Sequence, residues 1–217
     1  MVTRRAECIT LAVETAIGSG SLALIDGDCV LGSVCGSGLT SRAEDILPNI
    51  EFLLNTNEIQ KGGISQLAIS TGPGSYTGLR IGIATILGLG KALGIEIVGI
   101  PLFTALVHSI NDSEPYLAIV PMGRNDICFE VRRSNVAGAG RPRAGTPDEL
   151  KTAVKSSGVG RVYAHSNLVE RLKELSDLDV EITDLGANMA EYIGRAAKVK
   201  SETTGLIPIY VQNPRFG

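Results

Sequence analysis

The sequence predicts an α/β fold made of two related lobes, and three observations support this prediction. Short β-rich runs alternate with helix-forming segments along almost the whole chain. The order of elements in the first half returns, in a weaker form, in the second half. The chain has 217 residues, of which 44% are hydrophobic and 20% are charged, so it can bury the core that two small lobes require.

The first half begins with three strands and continues with alternating helices and strands. Glycine-containing turns separate the first three β-rich runs, and Asp26-Gly27-Asp28 is a strong tight-turn signal, so these strands are expected to be antiparallel. A long helix closes at Gly94, and Pro101 can open a further short helix. The predicted strands cover residues 9–13, 21–25, 30–35, 66–70 and 95–100, and the predicted long helices cover 41–55 and 77–93.

The second half repeats this order and ends in a tail that Pro208 and Pro214 keep extended. Thr146 and Glu149 form a capping box at the start of its first helix, after a glycine-rich loop. The predicted strands cover residues 116–120, 127–132, 161–164 and 180–184, and the predicted helices cover 147–154, 168–175 and 189–198. We therefore expect an N-terminal lobe at residues 1–104 and a smaller C-terminal α/β lobe at 105–217.

Charge and composition exclude several classes of function. The net charge is -3 and the pI is about 5.5, so a broad basic surface for a nucleic-acid backbone is not expected. The four cysteines lack C-x-x-C spacing and the two histidines are far apart, so no zinc site is predicted. Cys8, Cys29 and Cys35 lie among apolar or small residues and are expected to be buried, reduced thiols. Reduced thiols and the lack of a long apolar run predict a cytoplasmic protein without membrane contact.

The most distinctive segment is a glycine-rich loop between a predicted strand and a predicted helix, Thr71-Gly72-Pro73-Gly74-Ser75-Tyr76-Thr77-Gly78. Its glycines permit a tight turn whose backbone amides can bind an anion. The spacing is neither G-x-G-x-x-G nor G-x-x-x-x-G-K-[ST], so the common phosphate-binding loops are absent. On the residues alone, a structural turn and an anion-binding loop both stay open.

The helix after this loop carries a stripe of small residues. Ala84, Gly88 and Ala92 recur every four residues, which lets another helix approach closely. Glycine inside a helix costs about 1 kcal/mol relative to alanine, so packing must compensate for Gly82 and Gly88. The stripe can pack on the protein's own first helix or on a partner, and the pattern does not decide between them.

The segment from Gly72 to Gly82 resembles the G-P-G-S-[FY]-T-G-[LV]-R-[IV]-G signature of the TsaB (YeaZ) family, which belongs to the Gcp-like, actin-type ATPase (ASKHA) superfamily. Further segments resemble the family in the same order along the chain: Leu11-Ala12-Val13-Glu14-Thr15, Glu44-Asp45-Ile46-Leu47-Pro48 and Pro208-Ile209-Tyr210-Val211. The order β-β-β-α-β-α-β-α resembles one ribonuclease-H-like lobe. The resemblance thus implies two ribonuclease-H-like lobes, of which the second is smaller and degenerate.

The resemblance implies a non-catalytic partner of TsaD, the family's larger catalytic paralogue. Such a partner supports threonylcarbamoyl transfer to the adenosine beside the tRNA anticodon, as an accessory subunit of the transferase complex. The implied assembly is a heterodimer with TsaD, which TsaE meets through the complex, or a homodimer when the protein is alone. Contact with tRNA is expected to be indirect. No cofactor is firmly implied, although ATP or ADP with Mg²⁺ at the TsaD interface is compatible with the resemblance.

Two sets of candidate residues follow, and neither contains a catalytic residue or a metal ligand. The candidate nucleotide- or anion-binding residues are Glu14, Thr15, Gly72, Gly74, Ser75, Thr77 and Arg80. The candidate partner-interface residues are Ile46, Ile50, Leu53, Arg80, Ala84, Gly88 and Ala92. Glu14 stands where the family usually has aspartate, and its carboxylate can either hold Mg²⁺ through water or bond its own turn. Arg80 can bind an anion, bind a partner's carboxylate or remain solvated.

Two alternative functions remain open. The chain could be a self-sufficient enzyme, either a nucleotide-dependent threonylcarbamoyl transferase or a Gcp-type metallopeptidase-like enzyme. TsaD-like proteins carry an H-x-x-x-H metal site, and neither His108 nor His165 has a histidine four residues away. The other alternative is a homodimeric interaction module that has no connection with tRNA.

Overall fold

Two five-stranded mixed sheets form the framework of the protein. The computed structural model describes residues 8–36, 42–123, 126–133, 140–173, 179–199 and 205–211, without the side chains of residues 42–44 and 173. The strands are β1 (Ile9–Glu14), β2 (Ser21–Asp26), β3 (Cys29–Cys35), β4 (Ile64–Gly72), β5 (Glu96–Pro101), β6 (Tyr116–Met122), β7 (Asp126–Arg132), β8 (Arg143–Gly145), β9 (Arg161–Ala164) and β10 (Glu181–Asp184). The helices are α1 (Arg42–Thr56), α2 (Tyr76–Leu93), α3 (Leu102–Ile110), α4 (Pro147–Ser157), α5 (Ser166–Lys173) and α6 (Met189–Ala196).

The two sheets have the same topology. In the first sheet the order is β3-β2-β1-β4-β5, with β1, β2 and β3 antiparallel and β1, β4 and β5 parallel. In the second sheet the order β8-β7-β6-β9-β10 repeats this arrangement strand for strand. The predicted α/β fold with two ribonuclease-H-like lobes is therefore confirmed.

Helices and sheets alternate in five layers because each sheet is apolar on both faces. The helices α1 and α2 cover the outer face of the first sheet with apolar residues such as Ile50 and Ile86. The helices α3 and α6 lie between the sheets and share one core with both, while α4 and α5 cover the outer face of the second sheet. The apolar contacts between the sheets thus form the centre of the molecule.

Helix α6 ties the two halves of the chain together. Its Gly194 lies so close to the first sheet that an added Cβ would come within 2.4 Å of the Ile25 side chain. At its start, the Ala190 amide donates to Ser21 Oγ at 3.0 Å, and Asn188 Nδ2 donates to the Leu22 carbonyl at 3.2 Å. An element from the second half therefore completes the core beneath the first sheet.

Local signals predicted helix ends well and predicted short or peripheral features poorly. The Thr146 and Glu149 capping box is present, and Gly94 ends α2 in the left-handed conformation with φ +68°. The expected loop before α4 contains β8, whose three residues are too few for a periodic pattern. The expectation of buried thiols is wrong for three cysteines that lie at strand ends, and these are Cys8, Cys29 and Cys35. No helix in the described ranges combines the length and apolar character needed to cross a bilayer.

Candidate functional site

The glycine-rich loop packs directly on the turn that follows β1. The Ser75 amide donates to the Ala16 carbonyl at 2.9 Å, and an added Cβ at Gly74 would lie 2.5 Å from the Ala16 methyl group. Thr15 Oγ1 donates to the Gly78 carbonyl at 2.8 Å. The glycines of the loop therefore permit contact between two backbone segments that are far apart in sequence.

Glu14 is a structural anchor of its own turn. Its side chain is 1% exposed, and Oε1 accepts hydrogen bonds from the Ala16 amide at 2.5 Å and the Ile17 amide at 3.0 Å. The adjoining cavity, which Thr15, Gly20 and other residues of the first lobe also line, has a volume of about 20 Å³. A cavity needs roughly 10–15 Å³ to hold one water molecule. This cavity therefore has room for about one water molecule.

A side chain of the loop itself caps the start of α2. Ser75 Oγ accepts from the Gly78 amide at 3.3 Å, which makes Ser75 the N-cap. Thr77 is exposed in the first turn of the helix. The Arg80 guanidinium lies 4.2 Å from the centre of the Tyr76 ring, a cation–π contact within the chain. The loop thus forms a turn and the start of α2.

The C-terminal tail covers the beginning of the loop, which the sequence analysis missed. The Ile209 amide donates to the Thr71 carbonyl at 2.7 Å. An added Cβ at Gly72 would lie 2.8 Å from the Ile209 carbonyl oxygen, so Gly72, with φ +102°, accommodates the tail. The Tyr210 ring lies 4.9 Å from the Tyr76 ring. The apolar residues between Pro208 and residue 211 were a signal that the tail packs on the protein.

The predicted partner-interface residues divide into two groups. Ile46, Ile50 and Leu53 are only 2–4% exposed because this face of α1 packs on the first sheet. In this chain the three residues form core contacts, and their part in a partner surface stays a prediction. Ala84, Gly88 and Ala92 are exposed on α2. An added Cβ at Gly88 would meet nothing within 4 Å, so packing inside this chain does not require a glycine there.

Large apolar side chains lie on the outward sides of α1 and α2. Leu47 is 52% exposed, Phe52 is 58% exposed and Leu87 is 46% exposed. Together with Ala84 and Gly88 they form what we call the outer helix face. Leu47 and Phe52 lie off the core-facing stripe of α1, which only the packing of this helix on the first sheet reveals.

The described residues contain no group of three histidine, cysteine, aspartate or glutamate side chains placed to hold a metal ion. His108 is exposed on α3, whereas His165 is buried after β9. Burial lowers the pKa of His165, and its Nδ1 accepts from the Asn167 amide at 3.1 Å. The buried imidazole therefore supports the turn into α5.

Two sheets of the same topology, with shared helices between them, define a class of two-lobed proteins with ribonuclease-H-like lobes. A Pseudomonas aeruginosa structure described as similar to the peptidase YeaZ has a TM-score of 0.66 and 18% identity, covering 94% of this chain and 100% of that chain. A structure of YeaZ from Pseudomonas aeruginosa gives a TM-score of 0.64 with 16% identity, over the same shares of the two chains. These likenesses concern the fold.

Sequence comparisons identify the family. The family model for TsaD, the tRNA N6-adenosine threonylcarbamoyltransferase, matches residues 39–153. The tRNA threonylcarbamoyladenosine biosynthesis protein TsaB of Escherichia coli is 35% identical over 92 residues, which are 42% of this chain and 38% of that protein. TsaB of Bacillus subtilis is 30% identical over 87 residues, which are 40% of this chain and 38% of that protein. The chain matches well under half of the length of these relatives. The chain belongs to the family of TsaD and TsaB (YeaZ) proteins, which confirms the resemblance of the segment from Gly72 to Gly82.

Proposed function

We propose that this chain is a cytoplasmic, non-catalytic partner of a TsaD homologue in threonylcarbamoyl transfer to the adenosine beside the tRNA anticodon. Family membership supports the pathway, because the relatives from Escherichia coli and Bacillus subtilis are named for tRNA threonylcarbamoyladenosine biosynthesis. The observation that supports a non-catalytic role is the environment of the Glu14 carboxylate, which accepts two amides of its own turn beside a cavity of about 20 Å³.

The bonding of Glu14 bears on any nucleotide cofactor. A carboxylate that holds Mg²⁺ must keep oxygen lone pairs for the metal or for its water shell. Glu14 instead uses its oxygens on the Ala16 and Ile17 amides. Where ATP or ADP with Mg²⁺ takes part in the complex, the TsaD homologue supplies most of its contacts in this proposal.

The outer helix face is the docking surface for the TsaD homologue in this proposal. Phe52 and Leu87 expose about half of their surface, and burying that half stabilises a complex by about 1 kcal/mol for each side chain. Ala84 and Gly88 allow a partner helix to approach closely. The same surface joins two copies when the partner is absent, and TsaE binds through the assembled complex.

Docking is tested by co-expressing the tagged chain with the TsaD homologue of the same organism and measuring the complex by size-exclusion chromatography with light scattering. Phe52→Asp and Leu87→Asp each place a charge on the outer helix face and are expected to abolish co-elution. Thr152→Asp adds the same charge on an exposed helix of the second lobe and should leave the complex intact. Co-elution that survives both substitutions would place the partner elsewhere.

The pathway is tested by nucleoside analysis of tRNA from cells depleted of this protein. We expect threonylcarbamoyladenosine to fall and to recover when the wild-type chain is restored. A level of threonylcarbamoyladenosine that does not change on depletion would remove the proposed function.

A second candidate function is threonylcarbamoyl transfer by this chain alone. The observation that favours it is the match of residues 39–153 to the family model of the transferase. The isolated protein would then bind ATP and modify tRNA when given a threonylcarbamoyl donor. Metal analysis and a transfer assay on the purified chain separate this candidate from the accessory role.

A further inference from the structure

A cleft in the second lobe is lined by three exposed arginines. It lies between the end of β7, strand β8 and the last turns of α4, and has a volume of about 610 Å³. Arg133 follows β7, Arg141 precedes β8, and Arg143 is the first residue of β8. The other lining residues that the structure describes are uncharged, and they are Val131, Gly140, Pro142, Ala153, Ser156 and Ser157. We call this feature the arginine cleft.

The positive charge of the arginine cleft is local and is not visible in the net charge of the chain. Residues 131–146 contain four arginines and no acidic residue, in a chain whose net charge is -3. One of the four, Arg132, is buried and forms an ion pair with Glu130. Among the described residues, no salt bridge involves Arg133, Arg141 or Arg143. Three guanidinium groups are therefore available to a ligand.

A neighbouring carboxylate does not cancel this charge. The backbone of Gly140 covers Glu130, because an added Cβ at Gly140 would lie 2.5 Å from Glu130 Oε1. Glu130 is 2% exposed and forms an ion pair with Arg132. The pair carries no net charge, so the potential at the mouth of the cleft comes from the exposed arginines.

The lining chemistry favours phosphate groups over a nucleobase. The guanidinium group presents paired N–H donors that match phosphate oxygens. None of the described lining residues is aromatic, so the cleft lacks a surface on which a base would stack. Contacts to phosphates alone bind a nucleic-acid backbone without regard to its sequence.

We infer that the arginine cleft binds the phosphodiester backbone of RNA. This inference rests on the proposed function, under which the RNA is the tRNA substrate. It gives the second lobe a direct contact with tRNA, where net charge alone predicts only an indirect one. The outer helix face lies on the first lobe, so partner docking and RNA binding use different surfaces.

The test is a titration of a fluorescently labelled, unmodified tRNA transcript with the full chain at several salt concentrations. The wild type is expected to bind, and its affinity should fall as salt rises. The double variant Arg141→Gln, Arg143→Gln should bind roughly tenfold more weakly, with the slope of log affinity against log salt reduced by about 1–2. Both side chains are exposed, so the variant should retain the wild-type melting temperature.

The matched control is the double variant Lys61→Gln, Arg171→Gln, which removes the same charge at exposed positions outside the arginine cleft. It should bind tRNA like the wild type. Equal affinity and salt slope for the arginine-cleft variant, or no tRNA binding by the wild type, overturns the inference. Adenosine monophosphate or inorganic phosphate that binds in an arginine-dependent way while tRNA does not also overturns it, in favour of a small phosphate ligand.

Failure of this inference is distinguishable from failure of the proposed function. The titration uses the chain alone, so it gives a result whether or not a TsaD homologue binds. The arginine-cleft variant should still co-elute with the TsaD homologue, because its substitutions lie away from α1 and α2. Depletion of the protein reports on the pathway independently of the cleft.

Discussion

The Thr15 side chain fills the space that a methyl group at Gly82 would need. An added Cβ at Gly82 would lie 2.1 Å from Thr15 Oγ1, the atom that donates to the Gly78 carbonyl. This contact joins the turn after β1 to the first turns of α2. It explains why a helix interior tolerates a glycine at this position.

We expect Gly82→Ala to lower the free energy of unfolding by about 1–3 kcal/mol through overpacking against Thr15. Gly88→Ala is the matched control in the same helix, since open space surrounds its added methyl group. Alanine is the better helix former, so this control should stabilise the protein by up to about 1 kcal/mol. Urea denaturation measures the free energy of unfolding of both variants. An equal change in the two would contradict the packing argument.

Glu14→Ala leaves the buried amides of Ala16 and Ile17 without their acceptor. The free energy of unfolding should fall by at least about 2 kcal/mol. For a chain of this size, that loss lowers the melting temperature by roughly 4–8 °C. Ser19→Ala, at an exposed position of the same turn, should have little effect. Melting curves with and without Mg²⁺ and ATP complete the test, because a nucleotide-binding role predicts a ligand shift that only the wild type shows.

The Tyr76 and Tyr210 rings should couple energetically across the tail. A double-mutant cycle of Tyr76→Ala and Tyr210→Ala is expected to give about 0.5–1.5 kcal/mol of coupling, the usual range for such ring pairs. Ile207→Ala is the control, since Ile207 is 77% exposed and should contribute little. Additive effects of the two tyrosine substitutions would mean that the two rings do not stabilise each other.

Asp112 should make stability depend on acid pH. Its hydrogen bond with Arg161, with further bonds from the Glu114 amide and Tyr163, lowers the pKa of this carboxyl to about 2. The unfolded chain binds a proton at higher pH than the folded chain does, so the contribution is complete above about pH 4. It is lost as the pH falls from there through about 2.

The measurement is the urea midpoint of the wild type and Asp112→Asn between pH 7 and pH 2. The variant should be less stable at pH 7, and its difference from the wild type should narrow below pH 4. Asp179→Asn at an exposed position is the control and should show no such narrowing. A difference that stays constant across this pH range would exclude the ionised carboxylate as the cause.

Local patterns predicted the order of elements, while contacts distant in sequence decided the role of the site. The capping box at Thr146 and the helix end at Gly94 depend on neighbouring residues only, so the sequence predicted both. The face of α1 that packs on the sheet cannot be predicted from neighbouring residues, because Leu47 and Phe52 are as apolar as Ile46 and Ile50. Only packing on the first sheet separates the buried residues from the exposed ones.

The contacts of the glycine-rich loop could not be predicted from local sequence either. Its shape as a tight turn followed from its glycines, but its neighbours come from residue 16 on one side and residue 209 on the other. Neither neighbour has a periodic signal. The contacts of the loop with the β1 turn and with the tail therefore became visible only in the three-dimensional arrangement.

The position of α6 between the sheets has a consequence for how the protein is made. The strands of the first sheet are complete by Pro101 and α3 follows at once, but α6, which packs on the inner face of β1 and β2, begins only at Met189. During synthesis, the alanine-rich inner face around Ala12 and Ala23 stays without its helix until α6 has left the ribosome. We expect the first half to acquire its stable fold only after α6 has been made, so that both lobes fold in a single cooperative step.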